Sequence, residues 1–154
     1  MVGRIWLIMG VGLLIFTTSC NPDSICLSNQ NAVQTGFYSA YSSVNKDTVL
    51  AKASAFGVGL NDSIYSKERV QKMFLPLSYR HDTTAFVIEN NTLKDTIWFG
   101  HTKELFFISR KCGFSFNFQI DTVWSTHTFI DSVALELNSV NYNENIENVK
   151  IYIY

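Results

Sequence analysis

The chain has 154 residues, 47% of them hydrophobic and 14% aromatic, with a formal net charge of −1 at neutral pH. Such a balance lacks the basic surplus that a nucleic-acid-binding domain carries, so nucleic acid is excluded as a partner. The length is that of one domain with a core of its own once the leader is set aside.

The leader comes first. One charged residue, Arg4, precedes an apolar run from Ile5 to Phe16, and Thr17-Thr18-Ser19-Cys20 follows. A short apolar run ending in small residues is a secretory signal. It falls short of the roughly 20 apolar residues a membrane span needs. Cysteine directly after Thr-Thr-Ser resembles the lipobox of bacterial lipoproteins, with Thr17 where leucine is usual. That resemblance implies a lipid on Cys20 and cleavage before it; the competing reading is an ordinary signal with a chance cysteine. Two or more acyl chains give stable anchoring, at about 0.8 kcal/mol per buried methylene. The expected organisation is a lipoprotein signal peptide over 1–19, a lipidated tether over 20–25 and a folded domain over 26–154. The tether, about 3.5 Å per residue when extended, spans roughly 20 Å at most, so the domain sits close to the bilayer.

Two thiols remain, Cys26 and Cys112. In an exported chain an even pair invites a disulfide. It would close a loop of about 86 residues, for which chain entropy alone gives on the order of 4–5 kcal/mol. Two buried free thiols are the alternative. A redox pair lacks its Cys-x-x-Cys, and zinc lacks a matching histidine cluster.

In chain order, Val33 to Tyr41 is a first strand and Thr48 to Val58 a second, bent near Gly57 and Gly59. Asn61-Asp62-Ser63 turns the chain, Ile64-Tyr65 makes a short pairing, and polar Ser66 to Lys72 suits a helical turn. Lys67, Arg69 and Lys72 are read as a solvated face. Met73 to Leu77 is a strand whose Pro76 places it on an edge or at a bulge. After a turn at Tyr79 to Asp82, Thr84 to Glu89 and Thr96 to His101 form a hairpin around Asn90-Asn91-Thr92. Glu104 to Ser109 is a separate strand beyond a tight turn. The strongest signal follows. Phe114, Phe116, Phe118 and Ile120 alternate with Ser115, Asn117, Gln119 and Asp121, so one face of this strand is a core wall. Val133, Leu135 and Leu137 alternate in another strand. Beyond a polar loop from Asn141 to Asn145, Val149 to Tyr154 closes the chain.

Short strands at even spacing with no long amphipathic helix predict an all-β fold, an antiparallel two-sheet β-sandwich of immunoglobulin-like or transthyretin-like kind. A single small barrel is the alternative. Lys and Arg within several strands argue against an integral outer-membrane barrel.

Several segments, in order, carry a family resemblance: Gly57-Val-Gly-Leu-Asn-Asp-Ser-Ile-Tyr65, Leu75-Pro-Leu-Ser78, Asp82-Thr-Thr-Ala-Phe-Val-Ile88, Asp95-Thr-Ile-Trp-Phe99, Glu104-Leu-Phe-Phe-Ile-Ser109, Cys112-Gly-Phe114 and Val149-Lys-Ile-Tyr152. Together they resemble a family of small Bacteroidetes lipoproteins of unknown function. The resemblance brings no activity, cofactor or catalytic residue. It implies, as a hint, an outer-membrane protein as partner.

Every aspartate is followed by Ser or Thr and then by an apolar residue or Thr. Asp closing a turn before a β-branched strand opening explains this structurally. The triplet is also similar to the O-glycosylation sequon of exported Bacteroidetes proteins, which implies glycans on some of Thr48, Ser63, Thr83, Thr96, Thr122 and Ser132.

Catalysis finds no support. His81, His101 and His127 are dispersed, and no zinc-protease or serine-hydrolase motif is present. Gly57-Val-Gly59 lacks the rest of a phosphate cradle. His101 and Glu104 meet across a turn at best. The chain is therefore expected to be no enzyme, to need no cofactor or metal, and to serve as a lipid-anchored protein-binding or assembly module, with edge-strand pairing as one mode. The alternative is a glycan or small-ligand binder using Trp98, Trp124, Tyr79 or Tyr142, with mid-strand Trp98 assigned instead to the core. Asn21-Pro22-Asp23-Ser24 lacks the acidic run that resembles a surface-export signal, which places the anchor on the periplasmic face of the outer membrane.

Overall fold

The computed structural model describes residues 31–142 and 144–154. The lipidation site Cys20, the tether and Cys26 lie outside the described residues. Among the described residues ten strands run in chain order: β1 (Ala32–Ser39), β2 (Leu50–Gly57), β3 (Ser63–Val70), β4 (Lys72–Pro76), β5 (Thr83–Asn90), β6 (Leu93–Ser109), β7 (Gly113–Ser125), β8 (Ile130–Leu135), β9 (Ser139–Val140) and β10 (Val149–Ile153). They form a four-stranded sheet ordered β4-β1-β10-β8 and a six-stranded sheet ordered β3-β2-β5-β6-β7-β9. The fold is an all-β two-sheet sandwich. All pairs are antiparallel except β1 with β10, which run parallel with Phe37 opposite Ile151.

The core lies between the sheets. From the four-stranded sheet come Val33, Phe37, Met73, Leu75, Val149 and Ile151; from the other come Leu50, Ala55, Ile88, Ile97, Phe99 and Ile120. β1 is central and nearly all buried, so its polar groups must be paired internally. Asn148 does this. Its backbone N–H donates to the Gln34 carbonyl, its side-chain oxygen accepts from the Gln34 N–H, and its amide donates to the Leu137 and Ser139 carbonyls.

Three expectations are corrected. Residues 66–72 are no helical turn: β3 runs straight through to Val70 as an edge strand. An edge in water needs no apolar alternation, and charges there discourage edge-to-edge pairing. Its irregularity is a bulge at Lys67, whose φ is 53° and whose N–H donates to Ser54 Oγ. Nor is there a turn between His101 and Glu104. β6 continues unbroken from Leu93 to Ser109, paired with β7 along most of that length. Polar Thr102 and Lys103 mark the level where the strands leave the core, not a break. The third correction is the strand expected to carry Val133, Leu135 and Leu137: β8 runs Ile130–Leu135 and leaves Leu137 beyond it, while the two-residue β9 is too short for any periodicity to reveal.

The turn between β5 and β6 is tight. Asn91 sits at φ 57°, in the left-handed region that asparagine tolerates, and Asn90 faces Leu93 across it.

Candidate functional site at the hairpin end of the sandwich

One end of the sandwich gathers the features that sheet packing does not explain. β5 begins at Thr83, opposite Gly100 of β6. On the other flank, β9 reaches only Phe118 and Gln119 of β7. Residues 104–109 and 113–117 therefore project as a two-stranded ribbon with no third strand among the described residues. At about 3.4 Å per residue the free part is roughly 17 Å long.

The alternation of β7 holds along this ribbon, but its burial does not. Phe118 and Ile120 are core residues, whereas Phe114 is 64% exposed. The expected core wall is thus a core wall only in its second half. The pairs Leu105–Phe116 and Phe107–Phe114 continue the same face outward, and Leu105, Phe106 and Phe107 are all exposed. Phe107 and Phe114 rest ring to ring, 5.1 Å apart. Burying such a side chain fully is worth about 1.5–3 kcal/mol. Contiguous apolar exposure of this kind marks an interaction surface. At the root of the ribbon Lys103 pairs with Asp82 at 2.8 Å, and Tyr79 packs on Phe116 and Phe118.

An isolated two-stranded ribbon is marginal in water, and its tip carries a clamp. Cys112, in the β6–β7 turn, is disulfide-bonded. The chain's other cysteines, Cys20 and Cys26, are outside the described residues. The described chain also begins here. The Asn31 amide donates to Ser115 Oγ at 2.6 Å and to the Phe116 carbonyl.

Beside the ribbon, at the same end, the β2–β3 turn and the β4–β5 loop enclose a cleft of about 720 Å³. Val58, Leu60, Ile64, Leu77 and Phe86 supply its apolar lining. Val58 and Leu60 are more than half exposed at its rim. Gly59 holds the rim turn at φ +82° and Leu60 N–H closes it on the Gly57 carbonyl. The volume lies within the range of ligand pockets.

The histidines do not converge. His101 is fully buried in β6, three residues along the strand from exposed Glu104, so the two do not meet. Its Nε2 is 2.8 Å from Thr84 Oγ1, and its ring stands edge-on to Phe118. Burial pushes its pKa below the ordinary 6.5, and Lys103 pushes the same way against Asp82 and Asp121. Thr84 Oγ1 in turn accepts from the Ser78 N–H, so His101 helps to hold the cleft loop. Among the described residues no group of three or more His, Cys, Asp or Glu side chains could hold a metal ion.

The hydroxyls named in the sequence scatter. Ser63 and Thr83 are exposed and border the cleft. Thr122 is exposed on β7, with its hydroxyl over Gly100. Exposed Ser132 donates to Asp131, and half-buried Thr48 donates its N–H to the Phe37 carbonyl. Thr96 is half-buried, and its neighbour Asp95 is only 1% exposed. The Asp95 carboxylate accepts from the Thr126 hydroxyl and from the N–H groups of Thr128, Phe129 and Ile130. Burial raises its pKa, but these hydrogen bonds together outweigh burial and hold it below the usual carboxylate value. The Asp95–Thr96 pair is therefore closed to any enzyme that must read the aspartate. Its inward position was visible in the sequence, since period two puts Asp95 on the face of Ile97 and Phe99.

Trp98 is not in the core, contrary to expectation. It lies half-buried on the outer face of the six-stranded sheet, stacked on exposed Trp124 with ring planes 5° apart and centroids 5.9 Å apart. The two rings cover one another rather than forming a flat platform.

A family model described as a family of unknown function (DUF6452) matches residues 48–153. The chain belongs to this family. No curated protein and no solved structure matches it. The DUF6452 match begins after β1, yet β1 sits between β4 and β10 in the smaller sheet, so the folded unit extends beyond the matched span. Ribbon, cleft rim and Cys112 all fall inside it.

Proposed function

We propose that this DUF6452 protein is a lipid-anchored module of the bacterial cell envelope, held by Cys20 at the outer membrane, that binds an apolar segment of an envelope protein in the cleft between the β2–β3 turn and the β4–β5 loop. The observation that carries the reading is the cleft itself, which is roomy, apolar, rimmed by exposed Val58 and Leu60, and open at the end where the described chain begins. The partner's chemistry follows from the lining. It offers apolar contacts with a few hydroxyls at the border, and no cluster of charge, so a hydrophobic stretch fits better than a polar metabolite. The β3 edge beside the cleft is bulged at Lys67 and carries Lys67, Glu68 and Arg69, which disfavours strand addition along its second half. Side-chain insertion, not strand pairing, is the mode.

The test is position-specific photocrosslinking in living cells of the host. A benzophenone amino acid at Leu60 is expected to give one discrete adduct with an envelope protein. The same group at Leu93, at the opposite end of β6, is expected to give none. No adduct at Leu60, or an identical pattern from both positions, overturns the reading.

A further inference from the structure

We infer that the free β6–β7 ribbon is a second, polypeptide anchor that lies in the lipid bilayer at the headgroup–acyl boundary. The inference rests on the lipid-anchored reading above and adds to it a site that touches lipid directly.

Where the chain leaves the described fold is the first argument. Asn31 is bonded to Ser115 and Phe116, so the segment leading back to Cys20 departs from the flank of the ribbon. Ten residues lie between Cys20 and Asn31, and the eleven steps from one to the other reach roughly 40 Å even if fully extended. The disulfide at Cys112 shortens this further if its partner is Cys26, to the roughly 20 Å that six residues span. An acylated Cys20 therefore puts the ribbon within reach of the bilayer surface.

The second argument is where the apolar side chains point. Leu105, Phe107 and Phe114 are exposed on one face, and Phe106 is exposed on the other. A protein partner docking on a ribbon covers one face; a lipid surface surrounds both. Charge is the third argument. Glu104 and Asp121 bracket sixteen residues that contain no carboxylate, and exposed Arg110 and Lys111 occupy the turn. Basic groups next to aromatic residues suit an interface of anionic phosphates above acyl chains. The charged turn also fixes the depth. Arg110 and Lys111 stay with the phosphates while their stems and the phenylalanines sit below, so the ribbon lies obliquely, about 5–10 Å deep, and does not cross.

The test uses the full chain purified from host membranes and reconstituted into vesicles of phosphatidylethanolamine and phosphatidylglycerol, with or without bromine on the acyl chains. Phe107→Trp reports the ribbon. Leu93→Trp, about 46 Å away along β6 at 3.3 Å per residue, reports the far end. Both positions are about half exposed and outside the buried core cluster, so neither change disturbs the core. With wild-type emission subtracted, the Phe107→Trp signal is expected to shift to the blue and to lose most of its intensity to brominated lipid, as is that of Phe114→Trp. The Leu93→Trp signal is expected to keep its intensity. If the chain floats with the vesicles but Phe107→Trp and Phe114→Trp are quenched no more than Leu93→Trp, the ribbon inference fails and the anchor stands. If the chain does not float at all, the anchor reading fails and this inference with it.

Discussion

Asp95 shows how one side chain can hold a loop. Five hydrogen bonds from four residues converge on its carboxylate and fix Thr126 to Ile130 against β6. Removing the acceptor leaves the Phe129 and Ile130 N–H groups buried and unpaired. We expect Asp95→Ala to cost about 2–4 kcal/mol in urea unfolding, since each buried orphan donor costs about 1–3 kcal/mol. A loss within experimental error would mean that water replaces the carboxylate. The sign of the acid response also follows. Its folded pKa lies below the usual 3.8, so its stabilisation is complete above that value and is lost as the pH falls through the folded one.

His101 adds a second acid response. It is buried neutral, and its folded pKa is depressed below 6.5. The unfolded chain therefore takes up the proton first, and stability falls as the pH drops below about 6.5 toward the folded value. His101→Gln, which keeps a partner for Thr84, is expected to flatten the stability profile between neutrality and pH 5. An unchanged slope would place the titrating group elsewhere.

At the scale of elements, period-two patterns located most strands. β5, β7, β10 and the hairpin turn at Asn91 lay within a few residues of their expected places, because β7 and β10 alternate apolar with polar and β5 is a short apolar run, Ala85 to Ile88, bounded by turn residues. The failures have physical causes. β3 is an edge strand, so solvent set its composition and its charges imitated a surface helix. In β6, Thr102 and Lys103 look like a turn, yet a strand stays polar where it leaves a core, and Lys103 there finds Asp82. The ribbon was the least legible feature. Its alternation is identical in the buried and exposed halves of β7, so periodicity alone does not tell which half meets the facing sheet. The cleft was equally hidden, because it joins Leu60 of the β2–β3 turn to Leu77 of the β4–β5 loop and Phe86 of β5.

At the scale of the molecule, the two sheets enclose the core, where Asn31 Oδ1, His101 Nδ1 and Ser125 Oγ are buried without a hydrogen-bond partner, and one end gathers both the ribbon and the cleft. There the Asn31 end of the described chain, the cleft rim, the ribbon and a disulfide-bonded Cys112 stand together. The far end, with the β5–β6 turn and the closing residues of β10, exposes Tyr41, Val44 and Tyr154, but among the described residues it carries no projecting ribbon and no disulfide-bonded cysteine. This polarity is what a body held at a surface by one end requires. A disulfide from Cys112 to Cys26 would tie the tether to the ribbon and fix that orientation, and Cys20 would be left free for acylation.

Mass spectrometry of non-reduced peptides from the protein in its host membranes tests this most directly. The account predicts one linked pair of peptides, bearing Cys26 and Cys112, and an acylated Cys20 as the first residue of the mature chain. Cys20 found joined to Cys112, or present with its thiol unmodified, would contradict it.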